Sequence, residues 1–310
     1  MRRYVLFLVL LFIIIGVALI FQRINYKIPA ASVSKSFSLS TRIEHSSHLF
    51  DPAFFSQADD KGQQYKKTVN ERVFGGIIPH HLLAAPLIAG FFEGIANQKI
   101  TTVILLSPNH YGVGPYNITS SKGIWTTIFG DLETDVSKVS QLESDKAAFV
   151  SEDLFDTEHG IYGIAPFIKK TFPDSKIVPI AINSGTSKEE CDKLVQELNN
   201  IVDDQLLVIV STDFSHYLPS NQADVFDKES IDAIESFNAD KVFSLDHQKN
   251  IDSPESVYTL LKLMQLKEAT KPIRVENTNS AKLTNQPDLQ STTSYLTMYF
   301  INQNNNLSTD

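Results

Sequence analysis

Short apolar runs alternate with longer amphipathic segments from residue 72 to the end of the chain. Runs of apolar and β-branched residues are typical of buried strands, and they predict strands at residues 73–78, 101–106, 176–182, 205–211, 273–277 and 294–301. Apolar residues at helical spacing predict helices at residues 82–98, 136–149, 162–172, 187–202, 221–239 and 253–266. This alternation predicts a single α/β domain with a mostly parallel central sheet flanked by helices.

Two stretches lie outside this alternation. Residues 112–135 follow neither period and are interpreted as irregular, with Trp125 and Phe129 in the core. Residues 40–67 combine an aromatic cluster with a polar end, and this composition indicates an arm packed on the domain. His45 and His48 of this arm, and His247 further along, are interpreted as packing or surface residues.

The beginning of the chain carries an apolar run from Tyr4 to Phe21, interrupted only by Gly16. These 18 residues would extend about 27 Å as a helix, enough to cross the hydrocarbon core of a bilayer. The apolar region of a cleavable signal peptide is shorter, about 7–15 residues. An uncleaved single-pass anchor is therefore favoured, with a cleaved signal as the alternative. Arg2 and Arg3 indicate that the N-terminus stays in the cytoplasm, so the domain is expected on the outer side of the cell membrane.

These patterns divide the chain into four parts. Residues 1–27 are predicted to form the membrane anchor with its transmembrane helix, residues 28–41 a tether, residues 42–302 the α/β domain and residues 303–310 a polar tail. With 310 residues, 42% of them hydrophobic, the chain can bury a sizeable core. A net charge of −9 without a basic stripe argues against nucleic acid as a partner. The single cysteine, Cys191, excludes an intramolecular disulfide.

Histidines recur where the apolar runs end. Pro-His-His at residues 79–81 follows the first predicted strand directly, and a helix is predicted to begin after it. Three similar corners carry further histidines: Ser-Pro-Asn-His at 107–110, Glu-His-Gly at 158–160 and Asp-Phe-Ser-His at 213–216. In open α/β sheets, ligands bind at the carboxyl ends of the strands. The four corners therefore predict one shared site, either centred on a metal or working by acid–base chemistry.

The four corners, in this order and at this spacing, resemble the Memo family, whose prokaryotic members are called AmmeMemoRadiSam system protein B. The resemblance covers about residues 42–302. It implies a fold like that of the class III extradiol dioxygenases, with a metal pocket at the strand ends. In the family, two histidines and a cysteine are associated with iron or copper, and the histidines match His80 and His110. The family's cysteine falls within residues 250–254, where local matching places Ile251 or Asp252.

Neutral imidazole binds divalent iron, copper or zinc, and a carboxylate can complete a facial triad with open positions. His80, His110 and Asp252 are therefore the predicted metal ligands. Iron or copper is favoured as the divalent metal, with zinc as an alternative. Hydrogen-bonded imidazoles without a metal remain the structural alternative for both histidines.

His159, Asp213 and His216 are interpreted as acid–base or substrate-binding groups, because the pKa of histidine lies near neutrality. Asp213 precedes His216 by three residues and is expected to orient an imidazole, to bind metal or to cap the strand end. Glu158 is expected to pair with His159 or to cap the following helix.

Three functions stay open on this sequence. The first is a metal-dependent oxidoreductase of the dioxygenase type. The second is a metal- or ligand-binding protein without enzymatic activity, because the same fold supports unrelated functions. The third is a metal-free hydrolase or lyase that uses Asp213, His159 and His216. A small-molecule ligand is expected in each case, and the sequence does not specify which one.

Overall fold

A nine-stranded mixed sheet forms the centre of the structure, a computed structural model that describes residues 42–302. The strands are β1 (Glu44–Ser46), β2 (Val73–Ile78), β3 (Thr102–Pro108), β4 (Ile118–Ser120), β5 (Ile124–Thr127), β6 (Gly130–Leu132), β7 (Phe149–Val150), β8 (Lys176–Ile182), β9 (Leu206–Ser211), β10 (His216–Leu218), β11 (Lys271–Asn279) and β12 (Thr292–Ile301). The helices are α1 (Pro52–Gly62), α2 (Ala85–Gly94), α3 (Val136–Ser144), α4 (His159–Tyr162), α5 (Ala165–Thr171), α6 (Lys188–Ile201), α7 (Ser220–Glu235), α8 (Ala239–Phe243), α9 (Pro254–Leu266) and α10 (Ser280–Leu283).

The strand order of the large sheet is β10-β12-β2-β9-β3-β8-β4-β7. The ninth strand, β11, lies off this path and pairs antiparallel with β12. The four middle strands, β2, β9, β3 and β8, are parallel to one another. Antiparallel pairs adjoin them on both sides, since β12 pairs with β2 and β4 pairs with β8. The outer strands β4 and β7 also pair in parallel, so the prediction of a mostly parallel sheet is right for the centre and for this pair and wrong for the other outer pairs. Parallel pairing needs a crossover segment. Helix α2 lies between β2 and β3, α6 lies between β8 and β9, and the longer segments from β3 to β8 and from β4 to β7 both include α3.

Side chains of the middle strands are buried on both faces, which explains their continuous apolar runs. On one face, Ile77, Ile104, Val178 and Val208 pack in a core with α3, α6, α7 and α9. On the other face, Val103, Leu105, Leu207 and Ile209 pack with α1, α2, α5 and a small second sheet. The helices therefore flank the sheet on both sides, as the sequence predicts.

The stretch at 112–135, predicted to be irregular, contains three short strands. β4 joins the large sheet, whereas β5 pairs with β6 and with β1 of the arm. Strands β1, β5 and β6 form the small sheet. Trp125 is buried, as expected, but Phe129 is 37% exposed and rests edge-on against Phe55. The prediction that Phe129 lies in the core is therefore wrong. Short strands of three or four residues carry too little periodicity to be recognised.

The helix predictions hold in position and differ mainly in length. The predicted helix at 82–98 begins with a 3-10 turn at Leu82–Ala84 and ends at Gly94, and the one at 136–149 ends at Ser144. The capping box of Ser187 and Glu190 is present at the start of α6. Within residues 42–302, every helix is too short or too polar to span a bilayer. The anchor predicted at Tyr4–Phe21, the tether at 28–41 and the tail at 303–310 lie outside the described residues.

Candidate metal and acid–base site

The carboxyl ends of β2, β3 and β9 meet at one edge of the sheet, and each continues into a motif residue: His80, His110 and Asp213. The turn that carries Asp252 joins this edge through an isolated bridge between Phe214 and Ile251. The backbone N–H of Asp252 also donates to the carbonyl of Asp213 over 3.1 Å. The site thus combines three adjacent strand ends with a turn that precedes α9.

Three imidazoles stand together at this edge. The ring of His80 lies edge-on to the rings of His110 and His159, with centroids 4.7 Å and 4.8 Å away. The rings of His110 and His159 are tilted by 31° at a centroid distance of 4.1 Å. His80 is buried, whereas the side chains of His110 and His159 are 22% and 32% exposed. The cluster therefore opens to solvent on the His110 and His159 side.

Two carboxylates face these rings. Oδ2 of Asp252 lies 3.1 Å from Nε2 of His80 and 3.7 Å from Nε2 of His110. Oδ2 of Asp213 lies 3.6 Å from Nε2 of His80. Two groups of candidate ligands result, His80 with His110 and His159, and His80 with Asp213 and Asp252, and the donor atoms within each group lie within 4.8 Å of one another.

The other ring nitrogens are engaged by the protein. Nδ1 of His80 lies 3.3 Å from the hydroxyl of Ser211, and Nδ1 of His110 lies 2.7 Å from Oε1 of Glu158. Such partners fix the tautomer and orientation of a ligand histidine and leave Nε2 to face the ion. Glu158 is fully buried and also accepts from the backbone N–H groups of His110 and Gly160, each over 2.9 Å. Glu158 caps α4, as one of its two expected roles requires. Its hydrogen-bonded imidazole is that of His110, whereas Nδ1 of His159, the expected partner, lies 3.9 Å from Oε1 of Glu158.

The charges of the cluster follow from these contacts. Burial opposes protonation of His80, but the carboxylates of Asp213 and Asp252 outweigh it and raise the pKa of His80. Burial acts in the same direction on His110, yet hydrogen bonds to Asp252 and Glu158 raise the pKa of His110 to about 10. Burial would raise the pKa of Asp252, but the two imidazoles lower it well below its ordinary value. At neutral pH, the His110 imidazolium therefore faces the Asp252 carboxylate, and the same carboxylate favours the charged form of His80.

His159 differs from its two neighbours. Burial and the charges of His80 and His110 lower the pKa of His159 to about 4. Its imidazole is therefore neutral at pH 7, with a nitrogen free to accept a proton or to bind a metal. Opposite pKa shifts in adjacent groups are typical of functional sites.

Asp213 combines two of the roles expected from the sequence. Its Oδ1 accepts from the backbone N–H of His80 over 3.1 Å and from that of His81 over 3.5 Å, as a strand-end cap would. Its Oδ2 meanwhile faces His80 Nε2. Asp213 therefore fixes the backbone and the charge of His80 together.

His216 belongs to neither candidate ligand group among residues 42–302. It begins β10, where its backbone pairs with Thr293 and donates to the carbonyl of Gln248. Its ring contacts that of Tyr217, at a centroid distance of 5.7 Å. The spacing predicts a hydrogen-bonded or water-bridged contact between His216 and a pocket carboxylate, and the candidate ligand groups of the described residues do not include His216. The acid–base role of His216 stays a prediction.

Three contacts at this edge were not predicted from the sequence. Thr212 donates from its hydroxyl to Oδ1 of Asp252, and the backbone N–H of Asp213 donates to Oδ2 of Asp252 over 3.1 Å. Nδ1 of His81 lies 2.6 Å from the buried hydroxyl of Tyr295. Polar residues directly after an apolar strand were the signal for Thr212, whereas Tyr295 lies in a strand predicted only as core.

The fold and this edge define an α/β protein with a histidine and carboxylate pocket at the ends of its parallel strands. Residues 53–299 match the family model described as Memo-like protein, and the chain belongs to this family. It is similar to three archaeal proteins described as "MEMO1 family protein". The identities are 30% with the one from Pyrobaculum arsenaticum, 29% with that from Methanococcoides burtonii and 30% with that from Desulfurococcus amylolyticus.

These matches cover 49%, 59% and 60% of this chain, and 56%, 70% and 69% of the three relatives in the same order. The chain thus spans little more than half the length of the first of them. Among solved structures, it resembles an uncharacterised protein, JW3007, from Escherichia coli K12. That likeness has a TM-score of 0.49 and 12% identity, and it covers 72% of this chain and 99% of the other.

Proposed function

We propose that this protein binds one divalent metal ion through Nε2 of His80, Nε2 of His110 and a carboxylate oxygen of Asp252. One observation carries the proposal: Oδ2 of Asp252 lies 3.1 Å and 3.7 Å from the two nitrogens. Two ligand atoms bonded to one ion at about 2.1 Å lie about 3.0–3.4 Å apart for right-angled to tetrahedral bonds. Oδ2 of Asp252 therefore needs only small shifts to share an ion with each of the two imidazole nitrogens.

The donor set also fits the chemistry. Two imidazoles and one carboxylate form the facial triad typical of non-haem iron sites. The family's cysteine is a soft ligand that favours copper(I) and zinc, and the oxygen of Asp252 in its neighbourhood shifts the preference towards iron. Iron is therefore our first choice, followed by copper and zinc. A bound cation would replace the proton that His110 carries at neutral pH, so binding should release protons.

We further infer that the pocket serves a metal-dependent oxidoreductase of the dioxygenase type, acting on an unidentified small molecule. A bound iron or copper ion would supply redox chemistry and an open coordination face. His159 adds a neutral, partly exposed imidazole that is suited to hold or move a proton of the ligand. Asp213 keeps His80 in place through the strand-end contacts. A binding protein without turnover is the second candidate, because this fold class supports both.

Metal analysis of the purified chain tests the binding proposal. Stoichiometric iron, copper or zinc is expected in the wild type, and His80→Ala and His110→Ala should each abolish it. His216→Ala is the matched control, because His216 lies outside both candidate ligand groups. Unchanged metal content in both pocket variants would refute the proposal. Oxygen consumption with a catechol would then distinguish the enzyme from the binding protein.

We also propose that residues 1–27 anchor the protein in the cell membrane, with the domain on the outer side. The apolar run at Tyr4–Phe21, interrupted only by Gly16 and preceded by two arginines, supports this. A reporter fused after Asp310 should be active only outside the cytoplasm. Activity of a cytoplasmic reporter at the same position would contradict the topology.

A further inference from the structure

The part of the arm that precedes α1 contains a buried imidazole with carboxylates at both ring nitrogens. Nδ1 of His45 lies 2.7 Å from Oδ1 of Asp156, and Nε2 of His45 lies 2.9 Å from Oε2 of Glu152. His45 is only 2% exposed, although β1 lies at the edge of the small sheet. A neutral imidazole carries one N–H, so only the imidazolium can donate to both carboxylates at once.

The two carboxylates belong to one short piece of chain, here named the 152–158 segment. Its residues form successive turns, with Phe155 N–H donating to Glu152 C=O and Glu158 N–H donating to Leu154 C=O, each over 3.1 Å. Glu152 and Asp156 are four residues apart, and a single ring bridges them. The segment ends at Glu158, whose carboxylate fixes Nδ1 of His110.

A second histidine of the arm, His48, contacts the 152–158 segment and the helix that follows it. Nε2 of His48 lies 3.2 Å from the carbonyl oxygen of Asp156, and its ring packs edge-on against Tyr162 of α4 at 4.9 Å. Tyr162 lies in the same short helix as His159. The arm thus contacts the chain on both sides of the Glu158-His159 pair.

We propose that His45 is a positioning residue of the metal pocket: it fixes the 152–158 segment so that Glu158 orients the His110 imidazole. This role serves the proposed function and in that respect rests on it. His45 itself reaches neither the pocket nor its ligands and acts through the segment. The chain directly after residue 41, where the predicted tether ends, therefore helps to shape the site.

The position of the His45 ring is tightly defined. A Cβ atom at Gly123 would lie 2.5 Å from Nε2 of His45, so the backbone of the small sheet leaves room for this ring and little else. The ring also packs on Trp125, with centroids 4.9 Å apart. Burial opposes its charge, but Glu152 and Asp156 outweigh burial and raise the pKa of His45. The charged form that the double contact requires is thus the favoured one.

The test uses three variants of the full-length chain. His45→Phe keeps an aromatic ring against Trp125 and removes the hydrogen bonds to both carboxylates, together with the 3.1 Å contact between Nε2 and the hydroxyl of Ser121. Asp156→Ala removes one contact at a side chain that is 66% exposed, so it should fold even where His45→Phe does not. Arg42→Ala is the matched control, because Arg42 joins the arm to Asp131 of β6 without touching the 152–158 segment.

The first measurement needs no metal. In ¹⁵N-histidine-labelled wild type, the Nδ1–H of His110 should give a downfield, slowly exchanging NMR signal. That signal should shift or broaden in His45→Phe and Asp156→Ala and stay unchanged in Arg42→Ala. If the arm only stabilises the fold, the substitutions should lower the melting temperature and leave the His110 signal unchanged. An unchanged signal in the two arm-contact variants, both folded, would overturn the proposal.

The second measurement is titration with Co²⁺ alone. Loss of groups that orient a ligand histidine typically weakens metal binding about 10–100-fold. We expect the Kd for Co²⁺ to rise about tenfold in His45→Phe, the lower end of that range. The double variant His45→Phe with Glu158→Gln should bind Co²⁺ as weakly as Glu158→Gln alone, because both substitutions act through the same contact. Additive losses would overturn this route. If the wild type binds no Co²⁺ while the His110 signal still responds to His45→Phe, the proposed function fails and the positioning role stands.

Discussion

Nδ1 of His110 and Oε1 of Glu158 lie 2.7 Å apart, and this contact joins the most buried carboxylate of the site to an imidazole that opens to solvent. The hydrogen bond contributes to the raised pKa of His110 and, despite burial, to the lowered pKa of Glu158. It holds the ring so that Nε2 points to Asp252. The contact thus gives Nε2 of His110 the orientation that the proposed metal site requires.

Glu158→Gln tests this relationship. The amide keeps the shape of the side chain but loses the charge that stabilises the Nδ1–H of His110. Metal affinity should fall about 10–100-fold, the usual effect of removing a ligand's hydrogen-bond partner. Metal titration of the purified variant measures the loss. Unchanged affinity would show that His110 is oriented by other contacts, or that it is not a ligand.

Asp252→Cys places the family's thiol at the candidate position. A thiolate is a softer ligand than a carboxylate, so affinity for copper(I) and zinc relative to iron(II) should rise about tenfold or more. Competition titrations with the three ions give the ratios. Asp252→Ala serves as the control, because it removes the carboxylate without offering a thiolate and should weaken all three ions.

If Asp252→Cys and Asp252→Ala show the same metal preferences, residue 252 does not coordinate the ion. The cysteine would then correspond to another position in the turn. His80 and His110 would remain candidate ligands in that case, since the contact between their rings does not involve residue 252.

The middle strands and the residues that follow them were predictable from the sequence. Each middle strand has a continuous apolar run, and His80, His110 and Asp213 follow three of these runs directly. Parallel strands end at one edge, so local pattern alone brings these residues together. Asp252 is different, because a bridge between Phe214 and Ile251 brings its turn to the site. Only the family resemblance pointed to that position.

Pairing partners outside the middle strands were not predictable. The edge order β10-β12-β2 joins strands that are far apart in sequence, and nothing in a local pattern states which edge a strand will join. His216 shows the consequence. It follows Asp213 by three residues, yet its backbone pairs with Thr293, and it stays out of the ligand groups. Glu158 likewise binds His110 rather than its neighbour His159, because the first turn of α4 sets its direction.

Gly160→Ala tests the close packing of α4 against β3. A Cβ atom at residue 160 would lie 2.0 Å from the hydroxyl oxygen of Ser107, so the substitution should reduce the free energy of unfolding by about 1–3 kcal/mol. Urea denaturation measures the loss. The double variant Ser107→Ala with Gly160→Ala should recover most of it, and Ser107→Ala alone should cost little. Full stability of Gly160→Ala would mean that α4 lies further from β3.

The last prediction concerns how the His45 contacts depend on pH. The pKa of His45 is raised in the folded protein, because Glu152 and Asp156 outweigh burial. A group with a raised pKa contributes its full stability below its unfolded pKa, about 6.5 for histidine, and loses it as the pH rises through the folded pKa. The pKa of Glu152 is lowered, because hydrogen bonds to His45 and Ser121 outweigh burial. Its contribution is complete above its unfolded pKa, about 4.3, and is lost as the pH falls through the folded value.

The two contributions overlap between these limits. The difference in the free energy of unfolding between the wild type and His45→Phe should therefore be largest near pH 5–6, from the two unfolded pKa values. It should shrink at alkaline pH as the imidazolium loses its proton, and again in acid as Glu152 gains one. Urea denaturation of both proteins with a chelator present, from acid to alkaline pH, gives this curve, and titrations common to both cancel in the difference. A difference that grows steadily with rising pH would mean that His45 is neutral in the folded protein and that the double contact is not ionic.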